Sequence, residues 1–157
     1  MEMKPYRAFG LIFMISRHFV GERYRNKVID PDCTIFCIKG KEVITDFHTQ
    51  DHVLDFAEGQ LYSPGNYIPG DLVCDVVEEL DFFCYDPSLN MNHDQKFEKV
   101  VMDGGSQTII KKDTRFLLCR GSIEIDGTRY DAPARLKIES GDKLATTLTP
   151  VMGLNLL

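Results

Sequence analysis

Short apolar runs, repeatedly broken by turn residues, limit what this chain can fold into more than any other feature of its sequence. No long stretch keeps the helical spacing of apolar residues, whereas several short stretches alternate apolar and polar residues as strands do. Turn pairs such as Asp126-Gly127 separate the runs, and Asp-Gly between alternating runs is a strong hairpin signal. The sequence therefore predicts an all-β fold.

The apolar pattern also distinguishes half-buried strands from fully buried ones. In Arg135–Glu139 the apolar residues face one side and the charges face the other, whereas Cys33–Ile38 is apolar on both faces. The second pattern predicts a buried central strand. Turn residues such as Lys39-Gly40 predict that long apolar regions are divided into separate strands. The strands predicted on either side of such breaks are Cys33–Ile38 and Glu42–Phe47, and Asp71–Val77 and Leu80–Tyr85.

The chain also repeats internally. Thr34–Gly40 aligns with Arg115–Gly121, and each is an apolar strand that ends in a basic residue and a glycine. An internal repeat of about sixty to seventy residues is typical of two copies of one fold packed together. The polar segment Asp86–Asn92 separates the copies, so we predict an N-terminal repeat over residues 1–86 and a C-terminal repeat over residues 87–157. Whether they form two barrels or one sandwich is left open.

The order of strands and glycines resembles the cupin superfamily of jelly-roll proteins. Two segments carry the resemblance: Ala57–Gly65, which contains Ser-Pro-Gly, and Arg115–Asp142, which contains Arg120-Gly121, Asp126-Gly127 and Ser140-Gly141. The resemblance implies a bicupin-like chain of two small jelly-roll repeats. In cupin enzymes it further implies a metal ion, held by a His-x-His pair, a glutamate and one more histidine.

The sequence departs from the family at these metal-binding positions. Counted back from the strand-end glycines, the glutamate position falls on Cys33 in the first half and on Thr114 in the second. The positions that correspond to the histidine pair are near Lys27 and Ile29 in the first half, and near Thr108 and Ile110 in the second. None of these residues reproduces the cupin ligand set. We therefore expect neither repeat to hold a metal or another cofactor.

The histidines and cysteines do not indicate a metal site elsewhere. His48 and His52 lie in a predicted hairpin turn, where a structural or solvent-facing role is more common than a ligand pair. Cys33 and Cys37 point to one face of a strand, but zinc needs four ligands, commonly in two close pairs, and no second pair exists. All five cysteines lie in apolar runs, which predicts buried free thiols in a reducing compartment.

Two stretches of opposite charge contain the candidate binding residues. The basic stretch is Arg17, His18, Arg23, Arg25 and Lys27, and the acidic stretch is Asp71, Asp75, Glu78, Glu79 and Asp81. The simplest interpretation is that both are solvated strand edges, where charges prevent aggregation. One alternative is docking of the basic stretch of one subunit on the acidic stretch of the next. Another is an anionic ligand, such as a sugar nucleotide, bound by the arginines.

The leading functional prediction is a non-enzymatic cupin-like binding or structural module. The metal ligands are missing, and no nucleophile elbow, phosphate loop or dinucleotide motif replaces them. Such a module would act in a homo-oligomer or larger assembly, for example a virus particle, where jelly rolls are common. The alternative is a metal-independent isomerase or epimerase acting on a sugar or nucleotide. His18, Tyr24 and Arg25 are its candidate residues, because it needs an acid and a base inside the barrel.

Charge and hydropathy narrow the expected partners and location. The net charge of −6 argues against general nucleic-acid binding, which rests on neutralising phosphates. The apolar run Phe9–Ser16 is too short to span a bilayer, and the polar start Met1–Ala8 is unlike a signal peptide. We therefore expect a second copy or a partner protein rather than a membrane or nucleic acid. The expected location is the cytoplasm or a virus particle, without secretion.

Overall fold

The chain forms two compact units that consist almost entirely of strands. The computed structural model describes residues 1–26, 33–62, 71–91, 94–139, 141 and 143–157. About 68% of the chain is strand, with almost no helix, which confirms the predicted all-β fold. Within the described residues, no helix has the length and hydropathy needed to cross a bilayer. The units are Met1–His93 and Asp94–Leu157.

The first unit is a 7-stranded antiparallel sheet built on two long central strands. The strands are β1 (Glu2–Ala8), β2 (Leu11–His18), β3 (Arg23–Asn26), β4 (Thr34–Asp46), β5 (His52–Ala57), β6 (Leu61–Tyr62) and β7 (Leu72–Tyr85). The long central strands are β4 and β7. β3 pairs with the beginning of β7 and β2 with its end, while β6 pairs with the beginning of β4 and β5 with its end. A 3₁₀ turn follows β7, at Pro87–Leu89.

The long strands β4 and β7 correct the predicted breaks at Lys39-Gly40 and between Val77 and Leu80. Both strands continue through these positions, and irregularities in their mutual pairing stand where turns were expected. Gly40 has a φ of +86°, and a Cβ atom at this position would lie 1.9 Å from the carbonyl oxygen of Glu79. Because glycine alone tolerates both conditions, the strand bends here in a bulge without reversing direction.

The second unit is a sandwich of two 4-stranded antiparallel sheets, ordered β13-β10-β15-β8 and β12-β11-β14-β9. The hairpin predicted at Asp126-Gly127 is confirmed, because Ile125 pairs with Thr128 across these two residues, which both have positive φ. The strands are β8 (Phe97–Met102), β9 (Gln107–Ile110), β10 (Thr114–Arg120), β11 (Ser122–Ile125), β12 (Thr128–Asp131), β13 (Ala134–Ile138), β14 (Lys143–Thr147) and β15 (Val151–Leu156).

Two strands, β1 and β12, were not predicted from the sequence. Both are edge strands whose side chains are mostly exposed. Each contributes few residues to a core, Ala8 from β1 and Tyr130 from β12. A strand that is mostly exposed has too few buried positions for an alternation of apolar and polar residues to mark it.

The two units share one order of strands, which confirms the predicted internal repeat. The first and second halves of β4 correspond to β10 and β11, and the first and second halves of β7 correspond to β14 and β15. Strands β2, β3, β5 and β6 then flank the first unit as β8, β9, β12 and β13 flank the second. Each repeat therefore has the strand order of a cupin-like jelly roll.

The turn after Tyr85 belongs to the first unit. The Asn90 side chain accepts a hydrogen bond from the Ile12 backbone N–H at 2.8 Å and donates one to the Ile12 carbonyl at 3.1 Å. It also donates to the carbonyl of Asp86 at 2.9 Å. These bonds hold the turn against β2 of the first unit. The predicted repeat boundary after Asp86 stays a prediction.

Each jelly roll has its own apolar core. In the second, Phe116 and Leu118 from one sheet and Ile123 and Ile125 from the other belong to a single buried cluster. All five cysteines are thiols, and four of them are buried. The core of the first jelly roll is built from Cys37, Ile44, Phe56, Leu72, Cys74, Val76 and Leu80.

Candidate functional site

The interiors of the two repeats differ most at Glu42. This residue lies two positions after the strand-bending Gly40, and Ile123 occupies the corresponding position after Gly121. Strand pairing agrees with this correspondence. Glu42 pairs with Val76 on β7, and Ile123 pairs in the same way with Thr147 on β14. The first repeat thus carries a carboxyl group where the second carries an aliphatic side chain.

Three more positions follow the same trend, with an ionisable side chain in the first repeat and a side chain that does not ionise in the second. Cys74 is paired with Ile44 and Tyr24, and Ala145 is paired in the same way with Ile125 and Thr108. His18 is paired with Leu80, as Met102 is paired with Val151. We call His18, Tyr24, Glu42 and Cys74 of the first repeat the interior cluster. Their counterparts are Met102, Thr108, Ile123 and Ala145.

Glu42 is held at the centre of the interior cluster as a buried carboxyl group. Its exposed fraction is 5%, and the Tyr24 hydroxyl donates to Glu42 Oε2 at 2.5 Å. Burial raises the pKa of Glu42, while the hydrogen bonds from Tyr24 and Cys74 oppose the rise. Burial and then the nearby Glu42 raise the pKa of Tyr24 far above its ordinary value. Burial also raises the pKa of the Cys74 thiol to about 12. Neutral forms are therefore favoured throughout.

His18 closes one side of the interior cluster and is not part of a basic surface. Its ring, 5% exposed, stacks on Phe82 at 5.5 Å and lies against Tyr24 at 5.2 Å. Burial lowers the pKa of His18, although Glu22 opposes the change. The Nδ1 atom lies 3.2 Å from Glu22 Oε2 but lacks the alignment of a hydrogen bond. His18 is thus buried among aromatic rings, unlike the exposed arginines of the basic stretch.

The interior does not fit the metal that the cupin resemblance implies. The residues at the expected ligand positions include Cys33, Thr108, Ile110 and Thr114, which provide no histidine and no carboxylate. Lys27, like Ile29, lies outside the described residues. Among the residues that the structure describes, no three histidine, cysteine, aspartate or glutamate side chains are grouped to hold a metal ion.

His48 and His52 contact different carboxylates. The predicted hairpin turn connects β4 to β5, with His48 inside the turn and His52 as the first residue of β5. His48 Nε2 is 3.2 Å from an Asp71 oxygen, and His52 Nε2 is 2.7 Å from Asp55 Oδ1. Each ring therefore holds its own acidic partner, and the two do not converge on one point.

The basic and acidic stretches lie on neighbouring strands of one sheet and pair with each other. Arg17 on β2 lies 2.9 Å from Asp81 and 3.5 Å from Glu79 on β7. Arg23 on β3 lies 3.4 Å from Asp75. These charges are compensated within one unit, so they do not form two separate patches.

Arg25 is held on the surface, away from the interior cluster. Its guanidinium donates through two nitrogens to the carboxylate of Asp71, the residue before β7, and lies 3.5 Å from the centre of the Phe47 ring. Glu78 stands opposite Lys41 in the pairing of β7 with β4. Of the three candidate residues for an isomerase, the fold brings His18 and Tyr24 together and separates Arg25 from them.

A second candidate surface lies on the outer face of the second jelly roll. Ile109 on the edge strand β9 is 56% exposed and stands directly opposite Leu144 on β14, which is 44% exposed. Two large apolar side chains therefore meet in solvent at the edge of a sheet. We call this pair the apolar edge.

The comparisons with known proteins concern the fold. The sequence matches no family model and no curated protein. YhaK from Escherichia coli matches with a TM-score of 0.54 and 11% identity, over 99% of this chain and 92% of that chain. YhhW from Escherichia coli matches with a TM-score of 0.52 and 12% identity, over 94% of this chain and 80% of that chain. The fold is a cupin-like jelly roll.

A cupin 2 conserved barrel domain protein from Leptotrichia buccalis also matches. It shares 8% identity over 99% of this chain and 88% of that chain, and its TM-score of 0.44 is too low to add support. At such identities the likeness of YhaK and YhhW extends to the cupin-like fold and not to an activity.

Neither Glu42 nor the apolar edge was among the predicted site residues. Glu42 could have been found by extending the repeat alignment two residues past Gly40 and Gly121, where a glutamate meets an isoleucine. Ile109 and Leu144 carry no such signal, because they are far apart in the sequence and only strand pairing makes them neighbours.

Proposed function

We propose that this protein is a non-enzymatic cupin-like module that acts in a homo-oligomer or larger assembly. The apolar edge carries the proposal, because Ile109 and Leu144 expose two adjoining aliphatic side chains on a strand at the margin of a sheet. Contiguous apolar surface on a soluble domain is characteristic of contact with another protein. An edge strand also offers backbone groups for pairing with another chain.

The charged residues support an apolar contact rather than the charged docking expected from the sequence. Arg17, Arg23 and Arg25 each have an acidic partner within the same unit. A partner that used these arginines would have to displace those carboxylates. Association through the apolar edge needs no such exchange.

The native mass of the purified protein tests this proposal. We expect native mass spectrometry, under conditions that retain metals and small ligands, to give a bare oligomer. The oligomer should persist at raised salt, because apolar association is not screened as charge pairs are. A monomer at every accessible concentration would overturn the proposal.

The second candidate function is a metal-independent isomerase or epimerase acting on a sugar or nucleotide. The placement of His18 and Tyr24 beside Glu42 inside the first jelly roll favours it, because acid–base catalysis needs such groups in a water-poor interior. The same native mass measurement separates the candidates. A small molecule bound to the first jelly roll would favour the enzyme, and a bare oligomer would favour the assembly module.

A further inference from the structure

Among the strands described, the edge strands of the two jelly rolls carry a charge or a proline, except β9 and the two-residue strand β6. Charged residues or a proline on an edge strand block its pairing with another chain. The strands protected in this way are β1, with Lys4, Pro5 and Arg7; β3, with Arg23 and Arg25; β5, with Asp55; β8, with Glu98 and Lys99; β12, with Arg129 and Asp131; and β13, with Arg135 and Lys137. Strand β9, Gln-Thr-Ile-Ile, contains no charge and no proline.

We propose that β9 pairs antiparallel with β9 of a second copy about a two-fold axis that passes through Ile109. This specifies the interface of the homo-oligomer proposed above and therefore rests on that function. The two 4-stranded sheets ordered β12-β11-β14-β9 would become one continuous sheet across the axis. An interface of this kind uses the same surface on both copies, as a two-fold dimer requires.

The faces of β9 and the apolar edge together favour this register. Ile109 points to the exposed outer face, while Ile110 packs against the core of its own jelly roll. Residues that stand opposite each other in antiparallel strands share a face, so Ile109 must stand opposite an outward-facing residue of the second copy. Pairing Ile109 with Ile109 of the partner subunit meets this condition. It also joins the apolar edges of both copies into one stripe, in the order Leu144, Ile109, Ile109, Leu144.

The charges near β9 are compatible with this register. Lys111 would stand opposite Gln107 of the partner subunit, and Lys112 would stand opposite Ser106 of the partner subunit, so no two lysines face each other. Like charges directly opposite each other in a sheet are destabilising. The same strand sequence therefore serves as its own partner, which favours a second copy over a foreign peptide as the occupant.

A lysine substitution at the two-fold axis tests the interface. Ile109→Lys would place two ammonium groups opposite each other and remove the apolar stripe, so we expect association to weaken at least tenfold. The matched control is Val101→Lys, because Val101 is 54% exposed on β8, an edge strand of the other sheet. This control should keep the wild-type native mass, and circular dichroism should show that both variants remain folded.

A cysteine at the same position provides a positive test that does not depend on destabilisation. Directly opposed residues of an antiparallel pair have Cα atoms roughly 4.5–5.5 Å apart, within the range that a disulfide bridges. With diamide as oxidant, Ile109→Cys should form a covalent dimer, whereas Leu144→Cys, farther from the axis, should not.

The outcomes distinguish the failure of this interface from the failure of the proposed function. If the wild type is oligomeric but Ile109→Lys keeps its mass and Ile109→Cys forms no covalent dimer, the β9 interface is wrong and the assembly function stands. If the wild type is monomeric and Ile109→Cys does not crosslink, both are wrong. A partner protein bound in place of the second copy would overturn the two-fold arrangement.

Discussion

Glu42 shows at the level of one residue how the two repeats have diverged. A carboxyl group in an apolar core is costly unless it is hydrogen-bonded or neutral. Tyr24 supplies the hydrogen bond, and burial favours the neutral form by raising the pKa of Glu42. Ile123 fills the corresponding place in the second repeat without any such requirement.

The pH dependence of stability should report the burial of Glu42. The raised pKa means that the native state holds its proton at a pH where the unfolded chain has lost it. The associated stability is present below the ordinary pKa of about 4.5 and is lost as the pH rises through the native value. Glu42→Gln cannot ionise, so we expect its free energy of unfolding, relative to the wild type, to increase from about pH 4 to pH 8.

Urea unfolding at the two pH values is the measurement. Glu124→Gln is the matched control. Glu124 lies on β11 of the second repeat, next to Ile123, but it does not belong to the core. The control should follow the wild type at both values. Parallel loss of stability in Glu42→Gln and the wild type would show that Glu42 does not resist ionisation.

At the level of the strands, pairing places the basic stretch beside the acidic stretch. Arg23 is one of five basic-stretch residues in the sequence, but on β3 it lies beside Asp75 of β7. An exposed pair of this kind contributes about 0–1 kcal/mol. The charged pairs therefore help to specify which strands lie side by side, and they contribute little to the stability of the unit.

Removing one of these pairs should leave assembly unchanged. We expect Arg23→Gln to lower the free energy of unfolding by less than about 1 kcal/mol, because both partners are solvated. Its native mass should equal that of the wild type and of Lys137→Gln, a control on the exposed side of β13. A smaller native mass in Arg23→Gln alone would restore the charged stretches as a docking surface.

At the scale of the whole molecule, two glycines mark the repeat. Gly40 and Gly121 have φ values of +86° and +94°. A Cβ atom would lie 1.9 Å from the carbonyl oxygen of Glu79 in the first case and 2.2 Å from that of Pro150 in the second. Both positions therefore combine a left-handed backbone with a close approach to the neighbouring strand, which only glycine allows.

Alanine at either glycine should be severely destabilising. We expect Gly40→Ala and Gly121→Ala each to cost more than about 3 kcal/mol, because the neighbouring backbone must move. Gly59→Ala is the control, since Gly59 also has a φ of +86° but no atom within 4 Å of the added Cβ. That variant should cost about 1–2 kcal/mol, the left-handed penalty alone. Equal losses in all three, measured by urea unfolding, would contradict the role of close packing.

Much of the fold could be predicted because it depends on patterns of neighbouring residues in the sequence. Alternating and fully apolar runs located the core strands, and the glycine of Asp126-Gly127 located a hairpin. The breaks predicted in β4 and β7 were wrong, since a glycine that bends a continuous strand has the same local sequence as one that ends it. Whether the chain reverses depends on the strand beside it.

The sequence by itself determined the all-β class, the internal repeat and the absence of the cupin metal ligands, because each depends on residue type and spacing along the chain. Only the tertiary structure decided that the charged stretches compensate each other, that His18 lies beside Tyr24 near Glu42, and that Ile109 meets Leu144 at an exposed edge. These relations join residues far apart in the sequence. Strand register creates them, and register is set by the packing of the whole sheet.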